Sequence, residues 1–242
     1  MRSLLIAPGD DESELAAALA SEANAIVVDL DVAAREAARA NAVRVLREAA
    51  ERPAGPVPMA RVGPLCAGET DDDLDAIMAA APRAVVLPKA RGRAGVQQLS
   101  AKLALREALF GLGHGATGII AVADTAEALL ALSGLRGASV RLIGLVWDAE
   151  ALRVEVGAET ARDEGGGFAG TLRLAREMTL VAAAAAGVAA IDTAFPDPRN
   201  LDAAKAEALA AKRAGFAAKV AISPAQAAIV NQVFAAREQS DS

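Results

Sequence analysis

Short continuous apolar runs alternate along this chain with longer stretches in which apolar residues recur every three or four positions. The clearest unit spans 118–152. Gly118-Ile-Ile-Ala-Val-Ala-Asp124 is an apolar run that stops at a carboxylate, and Leu142-Ile-Gly-Leu-Val-Trp-Asp148 repeats the design. The residues between them, 125–135, have helical spacing, which predicts two neighbouring parallel strands joined by a right-handed crossover. The same reading elsewhere predicts strands over 3–7, 25–30, 58–62, 84–89, 118–124, 142–148, 189–195 and 219–223. Helices are predicted over 12–21, 35–52, 71–81, 96–112, 125–135, 149–156, 168–186 and 201–214, with a last one from Pro224 to about residue 237 and a short disordered tail over 238–242. The polar, glycine-rich stretch 161–167 is the best candidate for a mobile loop. Eight strand–helix units closing on themselves make a single (β/α)8 barrel domain over 1–242, a common size for that fold. A doubly wound open sheet is the alternative, but the first turn, Ala7-Pro-Gly-Asp-Asp, lacks the G-x-G-x-x-G phosphate loop of its dinucleotide-binding version.

A parallel barrel keeps its chemistry at the C-terminal ends of its strands. Those ends carry Asp29, Asp31, Arg61, Lys89, Asp124, Asp148, Glu150, Asp192 and Thr193. A mouth rich in carboxylates with open positions suits Mg²⁺. Zinc is poorly served, because His114 and Cys66 are the lone residues of their types, and no G-x-S-x-G elbow accompanies His114. Each residue also has a structural reading. Asp124 and Asp148 stand where helix N-caps fall. Asp192 is placed to hydrogen-bond Thr193 or a neighbouring strand, and Lys89 is either a surface cation or a substrate anchor. Arg61 is hardest to explain structurally, since a guanidinium beside buried strands needs a partner and recognises carboxylates in forked geometry.

Composition narrows the partners. The formal net charge is −6, with no basic run and no aromatic–basic interleaving, which argues against nucleic acid. No stretch reaches the ~20 apolar residues of a membrane span, and the N-terminal apolar run is too short for a signal peptide. A lone cysteine fits a reducing cytoplasm.

The chain resembles the citrate lyase beta-chain-like branch of the HpcH/HpaI aldolases along nearly its whole length. The landmarks are Arg2-Ser-Leu-Leu with Pro8-Gly-Asp10, Val28-Asp-Leu30, Arg61-Val with Pro64, Val86-Leu-Pro-Lys89 and Asp124-Thr125. Further on come Ala149-Glu with Leu152, Ala190-Ile-Asp-Thr193 with Pro196-Asp, Gly215-Phe with Lys219, and Pro224-Ala-Gln226. The resemblance implies a (β/α)8 barrel assembled as a homo-oligomer, a trimer being favoured, that cleaves or forms carbon–carbon bonds in small hydroxyacyl thioesters of the CoA type or in oxo acids with Mg²⁺. It makes Arg61 the anchor of the substrate carboxylate or carbonyl and puts Asp124 where the family has a metal-binding Glu. The second family ligand, an Asp after the Glu that matches Glu150, falls on Ala151, which cannot coordinate. Asp31 remains from a shortened acidic segment, and Ser223 replaces a His. The expected site is therefore Arg61 and Asp124 as catalytic residues. Asp29, Lys89, Asp192 and Thr193 join Arg61 around substrate, and Asp124 with Asp148 or Glu150 holds a rearranged metal. The alternative is a catalytically inactive barrel that binds a ligand or a partner subunit.

Overall fold

The computed structural model describes residues 1–235. The strands are β1 (Ser3–Pro8), β2 (Ala25–Asp29), β3 (Val57–Arg61), β4 (Ala84–Leu87), β5 (Gly118–Ala123), β6 (Leu142–Trp147), β7 (Ala189–Asp192) and β8 (Ala218–Ala221). They pair in parallel in chain order and close into a barrel, with Ser3 of β1 opposite Lys219 of β8. The helices around it are α1 (Glu12–Leu19), α2 (Arg35–Glu51), α3 (Thr70–Ile77), α4 (Gly92–Leu109), α5 (Ala126–Leu130), α6 (Ala149–Glu155), α7 (Gly170–Ala186), α8 (Leu201–Ala214) and α9 (Pro224–Ala235). The expected end of the last helix near 237 and the tail 238–242 lie outside the described residues.

Both faces of every strand are covered, which is why the strands read as unbroken apolar runs. The two faces form separate apolar clusters. Leu4, Val27, Met59, Val86, Ile120, Val146 and Ile191 face the barrel interior. Leu5, Ile26, Val85, Ile119 and Leu145 face outward against the helices. The helices meet them with small residues such as Ala38 and Ala42 on α2, Ala175 and Ala183 on α7, and Ala208 and Ala211 on α8, all buried. In a chain with no tyrosine, alanine faces let the helices sit close to the sheet, so packing density comes from proximity rather than bulk.

The seam between β1 and β8 is fastened by side chains far apart in sequence. Ser3 Oγ donates to Asn231 Oδ1 on α9 (2.8 Å) and accepts from the Asn24 backbone N–H (3.0 Å), while Asn231 Nδ2 donates to the Glu22 carbonyl (2.5 Å). The first strand, the loop before the second and the last helix are thereby tied together.

Several boundaries differ from the sequence expectation. Strand four ends at Leu87, because Pro88 has no N–H to offer the ladder and Lys89 turns the chain with a left-handed φ of 48°. The helix predicted over 125–135 divides into α5 and a 3₁₀ turn at Leu132–Leu135. Strand seven stops at Asp192, three residues before Phe195, and α4 begins at Gly92 rather than Val96. The stretch 161–167, expected as a mobile loop, carries contacts of its own. Arg162 and Phe168 form an antiparallel bridge, and Asp163 Oδ1 accepts from the N–H groups of Gly165 and Gly167. The Arg162 guanidinium pairs with Glu207 and lies over the rings of Phe168 and Phe195.

Candidate active site

A cavity of about 620 Å³ opens at the C-terminal end of the barrel. Its rim carries Asp11, Glu14, Asp29, Arg61, Asp148, Glu150 and Thr193, and Leu4, Ile6, Val27, Val86, Ile120, Val122, Val146 and Val220 wall the interior below. The strand period of two explains the set. Asp29 and Arg61 stand in register at the ends of β2 and β3, two residues beyond inward-facing Val27 and Met59. They therefore inherit the inward direction.

Arg61 reaches Asp29 Oδ2 with Nη1 at 3.2 Å and lies 3.8 Å from Asp31 Oδ2 through Nη2. Asp29 also accepts from the Asp31 backbone N–H through Oδ1 (3.0 Å). Burial pushes the Asp29 carboxyl above its ordinary value, against the lowering effect of Arg61. The Arg61 side chain is 27% exposed and lines the cavity.

Asp124 directly follows β5, is nearly sealed at 6% exposure and does not line the cavity. Burial pushes its carboxyl up to about 6, a hydrogen bond from the Lys89 backbone N–H to Oδ1 (2.8 Å) opposes this, and the nearby Asp148 charge adds to the rise. Asp124 does not cap α5, because that cap is Thr125, whose Oγ1 accepts from Ala128 N–H. Asp148 is the N-cap of α6, with Oδ1 accepting from the backbone N–H groups of Glu150 and Ala151 at 3.1 Å each. Asp148 still lines the cavity.

Three expected site residues are placed otherwise. Glu150 lies on the exposed side of α6, where Oε2 takes a hydrogen bond from Arg153 Nε (2.8 Å), so it borders the cavity without joining Asp124 and Asp148 in a ligand set. Lys89 contributes its backbone N–H to Asp124, and its exposed side chain is not part of the cavity wall. Asp192 is fully buried beneath the mouth. Its carboxylate accepts from Trp147 Nε1 (2.8 Å), from Arg176 Nε and Nη2 (3.1 Å each) and from Lys219 Nζ (3.3 Å). With its oxygens engaged and no path to solvent, it is a support and not a substrate ligand. Burial favours the protonated form of Asp192, but Lys219, Arg176 and Trp147 outweigh it and lower the carboxyl below its ordinary value.

That support extends to Thr193, whose carbonyl accepts from Lys219 Nζ (2.6 Å) and whose Oγ1 accepts from the Ala149 N–H (3.2 Å). Lys219 also reaches Glu207 Oε1 at 2.8 Å. Trp147 stands edge-on to Phe168, with ring centroids 4.8 Å apart, and lines the cavity. The residues that sequence reasoning missed here are Arg176, Glu207 and Lys219, together with Asp11 and Glu14 on the rim. A lysine opening an apolar strand run was the available signal for Lys219, since a buried ammonium requires anionic partners.

Among the described residues no three His, Cys, Asp or Glu side chains gather as a metal cage. The donor set is still compatible with Mg²⁺, which usually takes one or two carboxylates and completes its shell with water and substrate. Asp148 lies close enough for its charge to raise the Asp124 carboxyl, and both offer only hard oxygen. Of the three carboxylates expected to hold the ion, Asp148 and Glu150 line the cavity and Asp124 lies buried outside its wall.

A family model for HpcH/HpaI aldolase/citrate lyase matches residues 2–224 of this chain. Citrate lyase subunit beta of Escherichia coli (strain K12) is 29% identical over 238 residues, covering 97% of this chain and 76% of that protein. The citrate lyase beta subunit of Mycobacterium tuberculosis complexed with oxaloacetate and magnesium superposes with a TM-score of 0.78 at 27% identity, covering 96% of each chain. The CitE structure from the same organism in complex with magnesium, acetoacetate and coenzyme A gives 0.77 at 26% identity, covering 96% of this chain and 80% of that one. Matched along almost its full length by the family model and by fold, the chain belongs to the HpcH/HpaI aldolase/citrate lyase family.

Proposed function

We propose that this chain is a carbon–carbon lyase of the citrate lyase beta type, acting on a hydroxyacyl thioester or oxo acid at the barrel mouth. The observation that carries the reading is the open cavity with Arg61 and Asp148 on its rim and the buried Asp124 carboxyl close enough to feel both charges. Arg61 holds the substrate's carboxylate or carbonyl oxygen, and Asp29 and Asp31 fix the direction of its fork. In the cleavage direction the hydroxyl loses its proton, the carbon–carbon bond breaks so that the hydroxyl carbon becomes a carbonyl, and the thioester-side carbon takes up a proton. Asp124 and Asp148 would hold Mg²⁺, which when bound supplies positive charge to the reacting oxygen. Thr193 and Trp147 wall the reacting end and, held from below by Lys219 and Asp192, keep it from collapsing. Preorganised groups aimed at developing charge are what lower such barriers.

A CoA-type thioester fits this reading, because the mouth is open to solvent and a long carrier can remain outside. Large exposed apolar side chains on the outer helices, among them Leu105, Leu109, Leu130 and Val181, support a homo-oligomer, for which we favour a trimer. The lone exposed Cys66 supports a reducing, cytoplasmic setting. No helix of the described residues is long and apolar enough to cross a membrane.

The test is Mg²⁺-dependent release of an oxo acid from a panel of hydroxyacyl-CoA thioesters, followed by coupled reduction of the product. Turnover that disappears in Asp124→Asn supports the lyase. Saturable ligand binding with no turnover on any thioester would transfer the protein to the non-catalytic reading.

A further inference from the structure

Below its polar rim the cavity changes character. Apart from Trp147 at the end of β6, the strand residues that line it beneath Asp29, Arg61, Asp148 and Thr193 are aliphatic, and the bore continues down to Leu4. From Pro8 at the mouth to Leu4 is roughly 11 Å along the barrel axis at the usual strand rise and tilt. Barrel interiors are normally filled by layers of bulky branched side chains. Here the layers above Leu4 leave an open bore, while at its foot Ala25, Ala84, Gly144 and Ala218 pack in register against Leu4, Met59, Ile120 and Ile191.

Size and charge point the same way. A cavity of about 620 Å³ lies in the range that accommodates drug-sized ligands, and an acid no larger than pyruvate occupies a minor part of it. The rim sets Asp11, Glu14, Asp29, Asp148 and Glu150 against Arg61, whose own guanidinium already faces Asp29 and Asp31. A second or third carboxylate on the substrate would meet repulsion there and find no donor in the bore. One carboxylate with an uncharged tail meets neither problem.

We propose that the acid handled here is a monocarboxylate carrying an aliphatic tail, anchored at Arg61 with the tail running down the bore between Ile120, Val122, Val146 and Val220. This rests on the lyase reading of the same mouth. Burying the tail supplies affinity that a single half-neutralised arginine does not.

The experiment is a calorimetric titration of the full chain, with Mg²⁺ present, by pyruvate, 2-oxobutanoate, 2-oxopentanoate and 2-oxohexanoate. Kd should fall about fourfold with each added methylene. In Val220→Phe, which plugs the bore, the ratio between the longest and shortest acid should collapse towards one. Pyruvate binding with a flat chain-length series in the native protein would overturn the proposal and leave the lyase reading standing. If no oxo acid binds, the lyase reading of the mouth falls. Hexan-1-ol, which needs the bore but not Arg61, then decides the matter and does not depend on Val220→Phe folding: saturable binding supports the aliphatic bore, and none overturns it.

Discussion

Lys219 and Asp192 face each other in register across β7 and β8, ammonium to carboxylate at 3.3 Å, and both are sealed from water. Neither enters the cavity, yet between them they hold Trp147 and Thr193, which do. Removing one partner of a buried pair strands the other charge. Lys219→Met is expected to lower stability by about 3–5 kcal/mol, measured by denaturant unfolding. Asp192→Asn added to it should cost less than the two single changes summed. Additive losses would show that the pair is not coupled.

At the opposite end of the barrel Arg141 grips Glu107 with both terminal nitrogens, at 2.5 and 2.6 Å. Burial would push the Glu107 carboxyl up, but bonds from Arg141 and from the backbone N–H groups of Thr117 and Gly115 prevail and hold it down at about 2. The folded carboxyl therefore sheds its proton more readily than the unfolded one, near 4.5. Its contribution, about 3 kcal/mol, is fully present above that pH and is lost as pH falls through about 2. Glu107→Gln should lower the unfolding free energy by about that amount at pH 7, and the gap from the native protein should shrink in acid. A gap independent of pH would sink the assignment.

Arg61→Lys keeps the charge and loses the fork. Oxo-acid affinity should drop at least tenfold, the loss of one charge-assisted hydrogen bond, while the melting temperature stays within a few degrees. An unstable variant that binds normally would make Arg61 a partner for Asp29 and nothing more.

The alanine at 151 offers a test by addition. Asp124→Glu and Ala151→Asp restore the two carboxylates that the family resemblance implies at these positions. If they come to share one ion, their effects on Mg²⁺ affinity should couple, the double variant gaining more than the two singles combined. Trp147, which lines the cavity beside Asp148, supplies an intrinsic fluorescence signal for the titration.

The barrel was legible because every strand is buried on both faces, so its apolar run needs no alternation to be recognised, and Gly187 and Gly215 end α7 and α8 in left-handed conformations as such stops do. The rim was half legible. Asp29, Arg61 and Asp148 follow from counting to the strand ends, whereas Asp124, reached by the same count, lies buried outside the cavity wall. Asp192 sits at an equally suggestive position, and only the four donors around its carboxylate reveal that it lies outside the cavity. The loop 161–167 read as loose from its glycines, because nothing local announces Glu207 or the rings of Phe168 and Phe195 as its anchors. Contacts of that span leave no periodic trace.

The clasp of Ser3, Asn24 and Asn231 also sets a timetable. During synthesis β1 is made before the other seven strands of the barrel, yet its outer edge has no partner until β8 leaves the ribosome more than two hundred residues later. At ordinary elongation rates that edge waits on the order of 10 to 40 seconds. The nascent chain therefore passes through a stage in which an apolar strand is open to the wrong neighbour, and the last helix, bringing Asn231, acts as the latch that ends the exposure.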